Sequence, residues 1–147
     1  MAKEFVRPEG LVKRSMFSQV VKAGNTIYVA GQTSRDQNGT VLGIGSFEAQ
    51  AEKVFSNLKT ALAASGASLN DVVETICYLT DMDNAPALAA ITEKYFGTKS
   101  PPASTWVEVT SLASPDMLLE IKAIAVKDWS NYLNENLIML TQAMTKT

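Results

Sequence analysis

Histidine is absent from the 147 residues. That excludes a Ser-His-Asp triad, a Cys-His pair, a His-ligated zinc site and a histidine general base. A single cysteine, Cys77, excludes an intrachain disulfide and a thiolate cluster, and suggests a reducing compartment. Proton transfer therefore falls to a carboxylate, a lysine, a tyrosine, the thiol or bound water. Basic runs are missing as well. The 13 Lys and Arg are scattered among 15 Asp and Glu, for a formal net charge of −2, so the electrostatic footprint of a nucleic-acid binder is lacking. No apolar run approaches the roughly 20 residues of a membrane span. The opening residues, MAKEFVRPEG, carry charge where a signal peptide has its apolar core. The expectation is a cytoplasmic protein with neither nucleic acid nor membrane as partner. Charged residues make up only 19% of the chain, slightly below the globular average, which suits a surface partly covered by another subunit.

What is present reads as one α+β domain. Phe17 to Lys22 and Thr26 to Gln32 are β-branched and aromatic runs joined by Ala23-Gly24-Asn25, a hairpin signal. A turn at Asp36-Gln37-Asn38-Gly39 leads into a third expected strand, Thr40 to Ile44. The first helix begins at Ser46, a good N-cap, and stops at Gly66. Its apolar stripe runs through Phe47, Ala51, Val54, Phe55, Leu58, Ala61 and Leu62. Glu52, Lys53, Asn57 and Lys59 are assigned to the opposite face. Asp71 to Leu79 reads as a strand. A second helix follows, with Pro86 in its first turn, a stripe of Leu88, Ile91 and Tyr95, and Gly97 beyond its end. Strands are then expected at Thr105 to Val109 and Met117 to Val126. The order ββ(β)αβαββ puts the helices on one face of a mixed sheet. Residues 1–127 form the domain, and 128–147 an appended helix whose Trp129, Leu133, Leu137, Leu140 and Met144 share one face. Such a stripe packs on its own domain or on a neighbour.

Several segments carry a resemblance. They are Ser18-Gln19-Val20-Val21, Tyr28-Val29-Ala30-Gly31-Gln32, Gln50, Pro102-Ala103-Ser104-Thr105 and Leu119-Glu120-Ile121-Lys122-Ala123-Ile124-Ala125. In this order and spacing, from about Phe17 to Val126, the chain resembles the Rid family, also called YjgF or L-PSP, whose founding members are enamine/imine deaminases. The resemblance implies a chorismate-mutase-like fold, a homotrimer with clefts at its subunit interfaces, and hydrolysis of a 2-imino or enamino acid to a 2-keto acid and ammonia without metal or cofactor. It also implies an arginine that clamps the substrate carboxylate and a glutamate that positions water. Glu120 matches the glutamate and Gly31 the glycine of the second-strand segment. Phe17 stands at the tyrosine position, Ala30 at the serine, Ala89 at the asparagine and Trp106 at the cysteine. Ser104 stands where the arginine would be.

A serine has neither the charge nor the fork geometry of a guanidinium. Substrates less anionic than 2-imino acids are therefore expected, in a cleft made more apolar by Phe17, Ala30, Ala89 and Trp106. Ser104 and Thr105 are candidate donors to a polar ligand, or simply turn and strand-start residues. Arg14 is the one arginine close in sequence to a cleft residue, and either replaces the clamp or is solvated. Glu120 is the candidate catalytic group. Its bland alternative is a surface pair with Lys122, its neighbour two residues on. Cys77, between Ile76 and Tyr78, reads as an inert core thiol. Two functions stay open at this point: a Rid-like hydrolase, and a small-molecule-binding or chaperone-like trimer without turnover. Ribonuclease activity has the acidic charge balance against it.

Overall fold

The computed structural model of the chain describes residues 2–128 and 130–144. Six strands form one sheet: β1 (Lys3–Val6), β2 (Val20–Ala23), β3 (Thr26–Gln32), β4 (Val72–Leu79), β5 (Ala103–Glu108) and β6 (Leu119–Val126). Their spatial order is β1-β2-β3-β6-β4-β5, antiparallel throughout except for the parallel pair β4/β5. Helices α1 (Phe47–Ala64) and α2 (Ala85–Phe96) lie on one side, and α3 (Ser130–Met144) follows the sheet. This is the expected mixed α+β arrangement.

α1 starts where the sequence places it. The Ser46 side chain accepts from the Ala49 N–H at 3.2 Å, and Gly66 takes a positive φ of 77° past the other end. Its stripe packs on Ile27 and Val29 of β3 and on Leu119, Ile121, Ala123 and Ala125 of β6, forming two continuous apolar clusters. Asn57 departs from its assignment to the solvent face, being buried and donating to the carbonyls of Thr33 and Arg35, both at 2.8 Å. Position 57 lies three residues from Val54 and four from Ala61, at the margin of the stripe, where an amide is tolerated only with partners. Gln50, fully buried, accepts from the Leu118 N–H at 2.8 Å and donates to the Asp116 carbonyl at 2.6 Å, fixing the approach to β6.

Several strand expectations change, β5 beginning at Ala103 rather than Thr105 and β6 at Leu119 rather than Met117. Residues 40–44 form no strand. Arg35 and Val41 make a single bridge, the Asp36 carboxylate accepts from the N–H groups of Asn38 and Thr40, and Gly43 has a positive φ of 67° that ends the extended run. β2 begins at Val20 rather than Phe17, because the preceding residues bend around the cavity described below. β1 carries no signal in the sequence. It is an edge strand whose Lys3, Glu4 and Phe5 are all exposed, so no inside–outside alternation marks it.

Among the described residues no helix covers the second face of the sheet. Tyr28 opposes Ile124 across β3/β6, Thr26 opposes Val126, and Tyr78 opposes both Glu120 and Val107. Tyr28 and Val126 are 45% and 42% exposed. Leu137 and Leu140 of the expected α3 stripe are 64% and 63% exposed; Trp129 and the side chain of Leu133 lie outside the described residues.

Candidate active site

β3 is irregular between Val29 and Gln32. Val29 pairs with Ala123 of β6 but Gln32 with Ile121, so the β3/β6 register shifts by one residue, while the Ala30 N–H donates to the Gln19 carbonyl at 2.9 Å and keeps the register with β2. Two buried glutamines hold this irregularity. Gln32 Nε2 donates to Gln19 Oε1 and to the Ala30 carbonyl, each at 2.9 Å, and Gln19 Nε2 donates to the Val12 carbonyl at 2.8 Å. The displaced backbone opens a cavity of about 430 Å³ between the end of β3, the start of β6 and the segment 11–19. Glu120, Gly31, Arg14, Arg35 and Phe17 all line it.

Glu120 is half-buried on the helix-free face, with its carboxyl folded over Gly31. A Cβ at position 31 would lie 1.9 Å from Oε1 and 2.7 Å from Cδ. Glycine is required there for space, and any side chain would push the carboxyl out of its seat. Burial raises the Glu120 pKa above the ordinary carboxylate value, and the nearby Arg35 charge opposes that rise. Among the described residues no ion pair joins Glu120 to Lys122, so the surface-pair alternative finds no contact. Lys122, Tyr78 and Leu112 instead line a second, more open depression of about 260 Å³ on the other side of the carboxyl.

The residues singled out by sequence divide into two groups. Glu120, Gly31, Arg14 and Phe17 come together, with Ala30 beside them in the irregular stretch of β3. Ser104, Thr105 and Trp106 lie on β5, two strands away from β6, which amounts to roughly 10 Å of sheet. Ser104 opposes buried Thr75, and Trp106 opposes buried Cys77, so both sit on the helix side; Thr105, opposite Ile76, sits on the bare side. The Ser104 hydroxyl is engaged, accepting from Thr75 Oγ1 at 2.8 Å and from Trp106 Nε1 at 2.9 Å. Ala89 is exposed on α2. Within one chain these four do not join the cavity. Cys77 is a buried thiol, and burial pushes its pKa up to about 11, against the pull of hydrogen bonds from Ser104 and Thr75, which keeps it protonated and unreactive at neutral pH.

Arg35, Gln19, Gln32 and Asn57 also build the site, and only Asn57 left a trace in the helical periodicity. Arg35 falls in a stretch, Thr33-Ser34-Arg35-Asp36, that reads as the start of a turn. Its side chain enters the cavity because Asn57 holds the carbonyls on both sides of Ser34.

Residues 10–127 match the family described as Endoribonuclease L-PSP. A 3-aminoacrylate deaminase RutC of Acinetobacter baylyi is 34% identical over 126 residues, covering 85% of this chain and 98% of its own. A 2-iminobutanoate/2-iminopropanoate deaminase of Dermatophagoides farinae is 31% identical over 110 residues, covering 75% and 84%. The crystal structure of yeast Mmf1 superposes with a TM-score of 0.80 at 33% identity, over 86% of this chain and all of that one.

Proposed function

We propose a function from the premise that this chain belongs to the Endoribonuclease L-PSP family, the Rid or YjgF family that its sequence resembles. The function is hydrolytic deamination of a small imine or enamine, with no cofactor, in which Glu120 positions and activates water. The observation that carries it is a half-buried carboxyl with a raised pKa, seated over a glycine in the wall of a 430 Å³ cavity. Two relatives named as deaminases of 3-aminoacrylate and of 2-iminobutanoate/2-iminopropanoate support it.

In the reaction, the water oxygen bonds to the imine carbon as the C=N π pair moves to nitrogen. Glu120 accepts the proton that water gives up and returns it to that nitrogen. Glu120 then takes the hydroxyl proton of the carbinolamine and delivers it to the amine nitrogen, the C–N bond breaks, ammonia leaves, and the C–O bond becomes C=O. An enamine first takes a proton on carbon and gives one up from nitrogen to become the same imine. A carboxyl whose pKa is drawn toward neutrality suits both the base and the acid role.

The working unit in this reading is a homotrimer with its clefts between subunits. Exposed Tyr28 and Val126 on the helix-free face support such a covering. A second copy would bring β5 with Ser104, Thr105 and Trp106, and α2 with Ala89, toward the cavity. Residues 1–127 carry the chemistry, and 128–147 are an extension to it. The ligand is a small molecule in the cytoplasm. RNA as substrate has the net charge of −2 against it, and no helix among the described residues is long and apolar enough to cross a membrane.

The engaged Ser104 hydroxyl favours one rival, a trimer that binds small molecules without turning them over. The deciding experiment follows ammonia release from imines generated in situ from several amino acids, with wild type beside Glu120→Ala. Acceleration that the substitution abolishes is expected. A wild-type rate equal to spontaneous hydrolysis would leave only the binding trimer.

A further inference from the structure

With Ser104 uncharged and already hydrogen-bonded, β5 offers no cation to a carboxylate. The cavity itself contains two, Arg14 and Arg35, against the single carboxyl of Glu120. Their settings differ. Arg14 also lines the two neighbouring surface depressions along segment 7–19, so it stands at the mouth. Arg35 is anchored: Asn57 holds its carbonyl at 2.8 Å, and its backbone bridges to Val41. Its Nε is buried and finds no hydrogen-bond partner among the described residues. A buried donor left unpaired is costly unless a ligand completes it.

A guanidinium is a planar fork that can take a carboxylate with two parallel N–H bonds. Arg35 acts on the Glu120 carboxyl through space, yet no ion pair joins them among the described residues. In a 2-imino acid the carboxylate carbon and the imine carbon are bonded neighbours. A cation and a carboxyl that face one cavity without touching can therefore address both at once. From the cavity, the anchored backbone and the unpaired buried donor, we infer that Arg35 is the residue that holds the substrate carboxylate in this protein. It reaches the cleft from the loop after β3, on the same chain as Glu120, and takes over a task that position 104 cannot perform. The site then keeps its preference for anionic imino and enamino acids, contrary to what Ser104 suggests by itself.

The part of this inference that concerns turnover rests on the proposed deaminase function; the part that concerns binding does not. The test titrates the full chain with 2-oxobutanoate, a 2-keto acid product, and with its neutral amide, for wild type, Arg35→Met, Arg35→Lys, Arg14→Met and Glu120→Gln. The expected result is keto-acid affinity lowered at least about 30-fold by Arg35→Met, by analogy with truncated buried charge pairs. Amide binding should be unchanged, Arg35→Lys should recover part of the loss, Arg14→Met should cost several-fold less keto-acid affinity than Arg35→Met, and Glu120→Gln, which removes a like charge, should not weaken keto-acid binding; an equal loss in Arg14→Met and Arg35→Met overturns the inference. Equal keto-acid affinity in wild type and Arg35→Met overturns the inference, as does a wild type that binds no keto acid. Arg35-dependent binding without any turnover would defeat the deaminase reading and leave this one standing. Glu120-dependent turnover of 2-imino acids with an unchanged KM in Arg35→Met would do the reverse.

Discussion

The two faces of the one sheet have opposite fates. On the helix side, Leu119, Ile121, Ala123 and Ala125 of β6 are at most 1% exposed beneath α1. On the other side the alternate residues of the same strand include Glu120, Lys122 and Val126, and Tyr28 of β3 stands 45% exposed beside them. The covered face has reached its packing limit within one chain. The bare face has no such cover, and it carries Glu120, whose pKa burial raises, in the wall of a cavity. Stability and chemistry are thus separated by the two-residue period of a strand.

Several measurements would break or sharpen that contrast. The largest effect is expected from Leu119→Ala, which removes a fully buried side chain and should cost about 2–5 kcal/mol in chemical denaturation. Tyr28→Asp, on the bare face, should leave the fold intact and drop the sedimenting mass to that of one chain; an unchanged mass would deny that this face is an interface. Asn57→Leu strips the Thr33 and Arg35 carbonyls of their donor, and about 1–3 kcal/mol of stability should go with it. Gly31→Ala should evict the Glu120 carboxyl and abolish imine hydrolysis with little change in Tm, since the clash is with the end of a flexible side chain; full activity in that variant would remove Glu120 from the mechanism.

Two smaller effects follow. Because burial raises the folded-state pKa of Glu120, its protonated form favours folding. That contribution is whole below the unfolded carboxyl value and is lost as pH climbs through the raised one. Glu120→Gln should therefore stabilise the protein at neutral pH relative to wild type, and the difference should vanish on acidification below the ordinary carboxylate range. A difference that grew on acidification would mean the pKa is depressed instead. Last, a chain ending at Asp128 should unfold within about 0.5 kcal/mol of the full protein, as expected for removal of exposed elements, because Leu137 to Leu140 are each more than half exposed.

Legibility followed burial. α1 could be read residue by residue because its 3.6-residue stripe, Ser46 cap and Gly66 stop are local features that the core then used unchanged. β1 could not, since an exposed edge strand has no inside to mark. Residues 40–44 misled because Val41 and Ile44 have strand-forming side chains, while Gly43 and the Asp36 turn dictate the backbone. At the site, Glu120 stood out as a carboxyl in an apolar strand, and Gly31 beside it. Arg35 was invisible, because nothing in Thr33-Ser34-Arg35-Asp36 says which way a turn residue points.

By itself the sequence determined the chemistry that is off limits, α1, α2 and five of the six strands of the central domain, and the family. Those depend on residue types and on short-range periods, which a linear chain displays. The tertiary structure decided that Asn57 is a buried strut rather than a solvated amide, that Glu120 rests on Gly31 from an adjacent strand, and that Arg35 shares its cavity. These are contacts between residues 22 to 89 positions apart, and they exist only once the irregularity in β3 and the packing of α1 have fixed where each backbone runs.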